Sequence, residues 1–467
     1  MPGQKRLLLI AYFFPPYNTV GAIRAAKFAK YLPEYGWEPI VLTRDWKSAT
    51  GLPPVSGIQT IHTGYRDRLA AFRHEAETHT HTTAQETTAH IKPTLATSGS
   101  RKSHLRHMAS YWAKEFLAYP DEFTGWKSYA LEAGRRIIRE QGIDLIFCTG
   151  KPFSSFAIAR QLAQESGLPW VADFRDPWTQ GPAYNHNQVR AFLEQGLERH
   201  TLRSARLLTT VSTPWADGLQ RLHHKPVTVI ANGYDEEDYA GPSPVPTARF
   251  TLTYTGQIYA GTHNNPGYSG ERDLSPLFEG VRHLLDRGVI DPARFEIRFY
   301  GPERDQPVVL SEAQSYGVES VVNHYGLLPY ATSLFRQRES TALLLLNWKS
   351  AQNTFRQQGW FTAKVYEYMG AQRPILAVPA HAGVETLLQE TGSGQSVDTA
   401  EQVAALLEGW YAQFQATGRL AYQGDPDAIR SYTRRGQTEK LATVFNQLVP
   451  RTSHQAPVVL RRRAKFT

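Results

Sequence analysis

Four short stretches hold the residues whose types and spacing suit chemistry. Trp170–Trp178, WVADFRDPW, sets Asp173 and Asp176 around Arg175 where an apolar run ends. Carboxylates at the end of a strand can bind or activate a hydroxyl; the same residues also suit a buried ion-pair corner that orders a loop. In FTAKVYEYMGAQRPIL, Lys364 and Glu367 fall on neighbouring positions of one helix face, just before the apolar run Pro374–Val378. Such a pair is either ordinary surface charge or a cation and a carboxylate aimed along the top of a sheet, where a carboxylate can accept from a ribose diol. Leu252–Gly256, LTYTG, ends a strand at a glycine, and Arg272 follows ahead of a helical stretch. A glycine loop with a cation beside a helix N-terminus suits a diphosphate, although Arg272 alone reads equally as a surface arginine. Gly21, in PPYNTVGAIRAAKF, precedes a helix and either lets backbone N–H groups approach a phosphate or merely allows a tight turn.

The elements that must hold these residues follow a repeated pattern. Leu7–Phe14 is apolar and ends at Pro15-Pro16; Ala22–Tyr35 has helical spacing and stops at Gly36. Pro39–Thr43, Ile58–His62, Ile143–Thr149, Trp170–Phe174, Leu207–Val211 and Val227–Ala231 read as further strands. After the Pro-rich stretch 239–247 the alternation restarts with Phe250–Thr255, Phe295–Tyr300, Val321–Tyr325, Ala342–Asn347 and Ile375–Val378. Unbroken apolar strands separated by helical lengths predict parallel sheets covered on both faces, an α/β architecture. Two such domains joined by a hinge-like linker predict a ligand cleft between them and a closing motion.

Composition narrows the rest. The chain has 467 residues, about three times one average domain, with 41% hydrophobic and 20% charged residues. That balance builds cores and argues against general disorder. The net charge is +8, and Arg451, Arg461, Arg462, Arg463 and Lys465 supply five of the cations from the end of the chain. The terminal run reads as a frayed tail or as a contact for an anionic membrane surface; a nucleic-acid partner is not expected, because no aromatic-basic face accompanies it. A single cysteine, Cys148, excludes an internal disulfide framework and a Cys-based zinc cluster. Residues 73–104 are Thr- and His-rich and read as a mobile insertion; His74, His79, His81 and His90 complete no recognisable ligand spacing. A G-x-G-x-x-G fingerprint is absent, which argues against a nicotinamide dehydrogenase.

Taken together, YFFPPYNTVGAIRAAKFAKYLPEYGW, WVADFRDPW, TVSTPWADGL, VIANGYDEEDY, LTYTGQIYAG and FTAKVYEYMGAQRPILAV resemble, in order and over roughly residues 5–385, the family-4 glycosyltransferases. The resemblance implies the GT-B fold, two facing Rossmann-like domains with parallel sheets and an interdomain cleft. It implies retaining transfer of a sugar from a nucleotide-sugar donor, UDP- or GDP-linked, to a saccharide or lipid-linked acceptor in cell-surface polysaccharide or glycan biosynthesis, with no cofactor and no metal. The expected domains are 1–238 on the acceptor side, a linker at 239–248, a donor-binding domain at 249–430, a terminal helix at 431–450 packing back on the first domain, and the basic tail 451–467. The implied location is cytoplasmic or peripheral at the inner membrane face.

Carried over by residue, the resemblance gives Glu367 the donor ribose, Gly256 the diphosphate, and Arg272 the place of the family's phosphate-binding lysine, with Lys364 reaching the same diphosphate. Gly326 and Leu327 would meet the base through their backbone, and Gly21 would approach donor phosphates and acceptor. Asp173 and Asp176 are candidates for handling the acceptor hydroxyl. The family's first signature glutamate falls at Gly359, a departure that bears on donor-sugar choice and on activity. A nucleotide-sugar epimerase or hydrolase on the same scaffold and a non-catalytic nucleotide-sugar-binding protein are the alternatives.

Overall fold

The computed structural model describes residues 4–46, 51–67, 119–182, 184, 186–242, 244–258, 272–348, 355–360 and 362–450. The expected insertion at 73–104 with its histidines, and the basic tail 451–467, lie outside the described residues. The chain divides into two units: residues 1–230 with 438–467, and residues 231–437.

In the first unit the strands are β1 (Lys5–Ala11), β2 (Trp37–Arg44), β3 (Gln59–Thr63), β4 (Leu145–Gly150), β5 (Trp170–Phe174), β6 (Leu207–Thr210) and β7 (Val227–Val229). They pair in parallel in the order β3-β2-β1-β4-β5-β6-β7. The helices are α1 (Val20–Tyr31), α2 (Lys127–Gln141), α3 (Ser154–Ser166), α4 (Gln188–Leu202) and α5 (Thr213–His223). Both faces of this sheet are covered, which is why its strands read as continuous apolar runs: Leu8 and Ile10 of β1 join one core cluster, Leu7 and Leu9 another. The strand order reverses between β1 and β4, the position where open α/β sheets hold ligands beyond their carboxyl ends.

The second unit repeats the plan with β8 (Phe250–Thr255), β9 (Phe295–Tyr300), β10 (Val322–His324), β11 (Ala342–Leu346), β12 (Ile375–Val378) and β13 (Gly394–Ser396), in the order β10-β9-β8-β11-β12-β13. Its helices are α6 (Ser275–Asp286), α7 (Gln306–Ser315), α8 (Tyr330–Glu339), α9 (Phe355–Gln358), α10 (Lys364–Ala371), α11 (Ala382–Thr391), α12 (Ala400–Thr417) and α13 (Pro426–Arg430). Here Leu344 and Leu346 point to one core cluster and Leu343 and Leu345 to the other, and the order reverses between β8 and β11. The edge strand β13 carries no apolar run and was not expected from the sequence.

The division between the units falls at residues 230 and 231, ahead of the Pro-rich stretch. Tyr234 and Tyr239 already pack within the second unit, against the face of α10 opened by Gly370, and the Tyr239 hydroxyl donates to the Glu367 carbonyl at 2.7 Å. The last helix, α14 (Arg434–Leu448), places Leu441, Ala442 and Phe445 in the core of the first unit, with Phe445 ring centroids 5.5 Å from Trp37 and 5.1 Å from Phe147.

Candidate functional site

Each unit gathers its polar residues at the carboxyl end of its sheet, around the reversal of strand order. In the second unit, β8 delivers Gly256, whose φ is +131°. A Cβ there would lie 2.1 Å from Cε and 2.6 Å from Nζ of Lys364, so only glycine lets that side chain lie across the strand end. Gly256 N–H donates to the Tyr300 carbonyl at 2.7 Å, and Gly301 N–H donates to the Gly326 carbonyl at 3.1 Å. Glycines at 256, 301 and 326 thus follow three adjacent strands. A Cβ on Gly301 would come within 2.5 Å of the Gly256 carbonyl oxygen, so this close approach of backbones has no room for a side chain.

Two cations converge on this glycine floor. Arg272 is 5% exposed, donates to the Leu346 carbonyl at the end of β11, and lies 4.9 Å from the Trp348 ring and 5.8 Å from the Tyr254 ring. Lys364 Nζ sits 5.7 Å from the same Tyr254 ring. Lys364 is the first residue of α10, where the helix dipole disfavours a cation. Its amine pKa is pulled down to about 7, chiefly by burial and next by Arg272, with Glu367 pulling the other way. A lysine at a helix N-terminus with a near-neutral amine is a local rule broken, and such breaks concentrate at functional sites.

Glu367 lies in the first turn of α10. Burial raises its carboxyl pKa, while Lys364 and Arg434 draw it down and Asp238 pushes it up. Leu327 is 73% exposed just beyond β10. Beside it, Tyr325 stacks on Tyr300 with centroids 5.3 Å apart, and its hydroxyl donates to Glu296. Gly359 is buried and follows α9; the neighbouring Trp360 stacks on Trp348, centroids 5.2 Å apart at 14°.

In the first unit the two sequence-selected aspartates part company. Asp173 is fully buried and bound from four sides: Arg24 Nε and Nη2 at 3.1 and 2.9 Å, Thr149 Oγ1 at 3.0 Å and Thr209 Oγ1 at 2.8 Å. All four lone-pair positions of a carboxylate are used. This corrects the expectation that Asp173 handles an acceptor hydroxyl: it is the ion-pair corner, and it ties α1 to β4, β5 and β6.

Asp176 instead lies at the partly exposed strand end, accepting from Arg175 Nη2 at 2.7 Å and Nε at 3.1 Å. Burial pushes its pKa up, but Arg175 and Lys151 outweigh that and hold it below the ordinary carboxylate value. Gly21, at the start of α1, leaves room for Arg175: a Cβ there would lie 3.0 Å from Nη1. The same register brings in Lys151, which sequence reasoning missed. Gly150 pairs with Phe174, so Lys151 and Arg175 are the next residues beyond two neighbouring strands. The backbone end of the strand leaves Lys151 at the surface while its amine is tucked in among Arg175, Asp176 and Asp121; the amine pKa is lowered by burial and by Arg175, against the pull of Asp176 and Asp121. The available signal was a cation placed directly after an apolar strand.

Among the described residues, no group of three or more His, Cys, Asp or Glu side chains is placed to hold a metal ion. The second-unit set brings two cations together beside closely packed glycine backbone, with a carboxylate at one side, an arrangement that can hold an anion. Two α/β units with parallel sheets of reversing order define the GT-B class. Solved structures share that fold across nearly the whole chain. A glycosyltransferase from Rickettsia africae aligns at TM-score 0.57 and 12% identity, covering 96% of this chain and 100% of its own. HepE of Anabaena in complex with UDP aligns at 0.57 and 12%, covering 95% and 100%. Sucrose-phosphate synthase of Thermosynechococcus elongatus aligns at 0.53 and 13%, covering 95% and 99%. No curated protein matches the chain by sequence. Residues 76–238 match the model described as Glycosyltransferase Family 4.

Proposed function

We propose that the chain is a retaining glycosyltransferase that takes a nucleoside-diphosphate sugar as donor in its second unit, without metal or other cofactor. The observation that carries this reading is Lys364 laid across Gly256 with Arg272 beside the same Tyr254 ring: burial first, and then repulsion from Arg272, depress the lysine pKa to about 7. An arriving diphosphate relieves that repulsion, recharges Lys364 and gives both cations an anion to hold. As the sugar–phosphate bond breaks, charge develops on the departing diphosphate; Lys364 and Arg272 stabilise it in place, which is electrostatic preorganisation. Glu367 accepts from the ribose hydroxyls, while Gly326 and Leu327 meet the base. HepE of Anabaena was solved with UDP, which supports a uridine donor here; GDP is the other candidate.

The acceptor, a saccharide or a lipid-linked saccharide of cell-surface glycan synthesis, is assigned to the first unit, beyond β4 and β5. Asp176, held ionised by Arg175 and Lys151, orients its hydroxyl. A carboxyl pKa below the ordinary value makes Asp176 a weak base, so its part is binding more than proton removal. The working location is the cytoplasmic face of the membrane.

The test is a thermal-shift series with UDP, GDP, ADP, CMP and their sugar conjugates on the wild type and on Glu367→Ala. Occupancy at a hundred times the dissociation constant adds about 2.7 kcal/mol to stability. One base class should stabilise the wild type and not the variant; a flat response across all nucleotides sinks the donor assignment. Product analysis with and without acceptor then separates transfer from hydrolysis or epimerisation.

A further inference from the structure

Helix α4 is inside out. Three of its charged residues face inward: Arg190 Nε donates to Glu194 Oε1 at 2.7 Å, and Glu198 accepts from Thr179 N–H at 3.1 Å and from the Thr179 hydroxyl, with His223 Nε2 at 3.1 Å. Arg190, Glu194 and Glu198 are all buried. Its apolar residues face out: Val189 is 69% exposed, Phe192 77% and Leu193 52%. Folding this unit does not require that arrangement, because nothing is gained by ordering Phe192 in water while sequestering charges that need partners.

The outward positions share one stripe. Residues 189, 192, 193, 196, 199, 200 and 203 recur at helical spacing and are all exposed. Along that stripe the chemistry changes from apolar to basic, from Val189, Phe192 and Leu193 to Arg199, His200 and Arg203. Arg199 and Arg203 line a shallow hollow together with His224 and Lys225 at the end of α5. Arg221 lines the adjoining hollow with Asp217, the one acidic residue among the groups lining the two.

We propose that this face of α4 is a docking surface for an anionic lipid bilayer. Its apolar side chains would seat at the boundary of headgroups and acyl chains, and the cations at the α4 and α5 ends would meet lipid phosphates. The apolar-then-basic order on a single helix stripe is what selects a bilayer over a second protein: interfaces between proteins are depleted of charge at their core, whereas the charge along this stripe is of one sign and adjoins the apolar patch. The inference does not rest on the donor assignment, since it concerns a different element and needs no nucleotide.

The experiment is co-sedimentation of the full-length chain with vesicles of phosphatidylcholine alone and of phosphatidylcholine with phosphatidylglycerol. The wild type should pellet with the phosphatidylglycerol vesicles and stay in solution with the neutral ones. Phe192→Ser with Leu193→Ser should weaken partitioning about tenfold or more. Arg199→Gln with Arg203→Gln should weaken it about tenfold at low salt and remove most of the preference for phosphatidylglycerol. A Phe192→Trp variant should be quenched by brominated lipid, which keeps the test decisive if a serine variant folds poorly. Absence of pelleting and of quenching overturns the proposal. So does binding that survives both α4 variants but is lost when Arg461, Arg462 and Arg463 become Ser, which assigns the membrane contact to the tail. A dimer in analytical ultracentrifugation that the Phe192→Ser, Leu193→Ser variant dissociates, with no vesicle binding, overturns it in favour of a second copy of the chain.

Discussion

The two sheets treat charge at their points of reversal in opposite ways. In the first unit, Arg24 and Asp173 face each other in full burial with every carboxylate lone pair used. In the second, Arg272 and Lys364 share one glycine floor, and Glu367 is the carboxylate closest in effect to the lysine. Both clusters sit where the fold brings ligands, so position alone does not identify a site. The difference is electrostatic: the first arrangement pairs opposite charges, and the second sets two cations side by side, which on the proposed reading an incoming anion stabilises.

The comparison breaks most visibly if the first cluster is disturbed. Asp173→Ala leaves the Arg24 guanidinium buried without its counter-ion and should cost about 3–5 kcal/mol in urea unfolding. A loss below about 1 kcal/mol would mean the pair is not the anchor described. Gly256→Ala comes next. It forces an alanine to a φ that glycine favours and drives a methyl into Lys364, for about 1–3 kcal/mol of stability and loss of UDP binding by calorimetry. Lys364→Met should act in the reverse sense to Asp173→Ala: the ligand-free melting temperature holds or rises, while affinity for the nucleoside diphosphate falls by about ten- to a hundredfold, the worth of a charge-assisted hydrogen bond. Equal loss of stability in both variants would erase the distinction between the two clusters.

Proton linkage sharpens the same contrast. With a folded pKa of about 7 against an ordinary lysine value of 10.5, the unfolded chain holds more protons than the folded chain between those values. Lys364 therefore makes the ligand-free protein more stable as pH rises through that window. Diphosphate binding reverses the preference, because the anion favours the ammonium. Affinity should be flat below about pH 7 and decline above it, and Lys364→Met should flatten the profile; calorimetry across pH reads both. The smallest effect is expected at Tyr325→Phe, which removes the donor to Glu296 and should cost about 1 kcal/mol or less on denaturation.

The sheet interiors were legible because apolar runs state burial directly: Trp170–Phe174, Phe250–Thr255, Phe295–Tyr300 and Ile375–Val378 have the same limits in sequence and structure. Strand β13, Gly394–Ser396, was invisible because a short polar edge strand has no pattern to read. That Gly256, Arg272 and Lys364 come together at one strand end was legible, since a glycine after a strand and a cation before a helix are local signals. Asp173 was misread because its partners, Arg24, Thr149 and Thr209, are distant in sequence, and only the register of β4, β5 and β6 brings them in. Lys151 was passed over for the same reason: its meaning comes from Arg175 on the next strand. The outward face of α4 escaped because periodicity reports an amphipathic helix without saying which side faces water.

The return of α14 to the first unit has a consequence for how the molecule is made. Leu441 and Phe445 fill the core beside Trp37 and Phe147, and Lys5 Nζ donates to Asn446 Oδ1 at 3.0 Å, so the first strand and the last helix close the same core. A nascent chain emerging from the ribosome has its second unit complete in sequence while its first still lacks a wall. The amino-terminal unit is therefore the later of the two to become protease-resistant during synthesis, and a chain released before residue 434 should expose Trp37 and Phe147 to the quality-control machinery rather than yield a half-sized working protein.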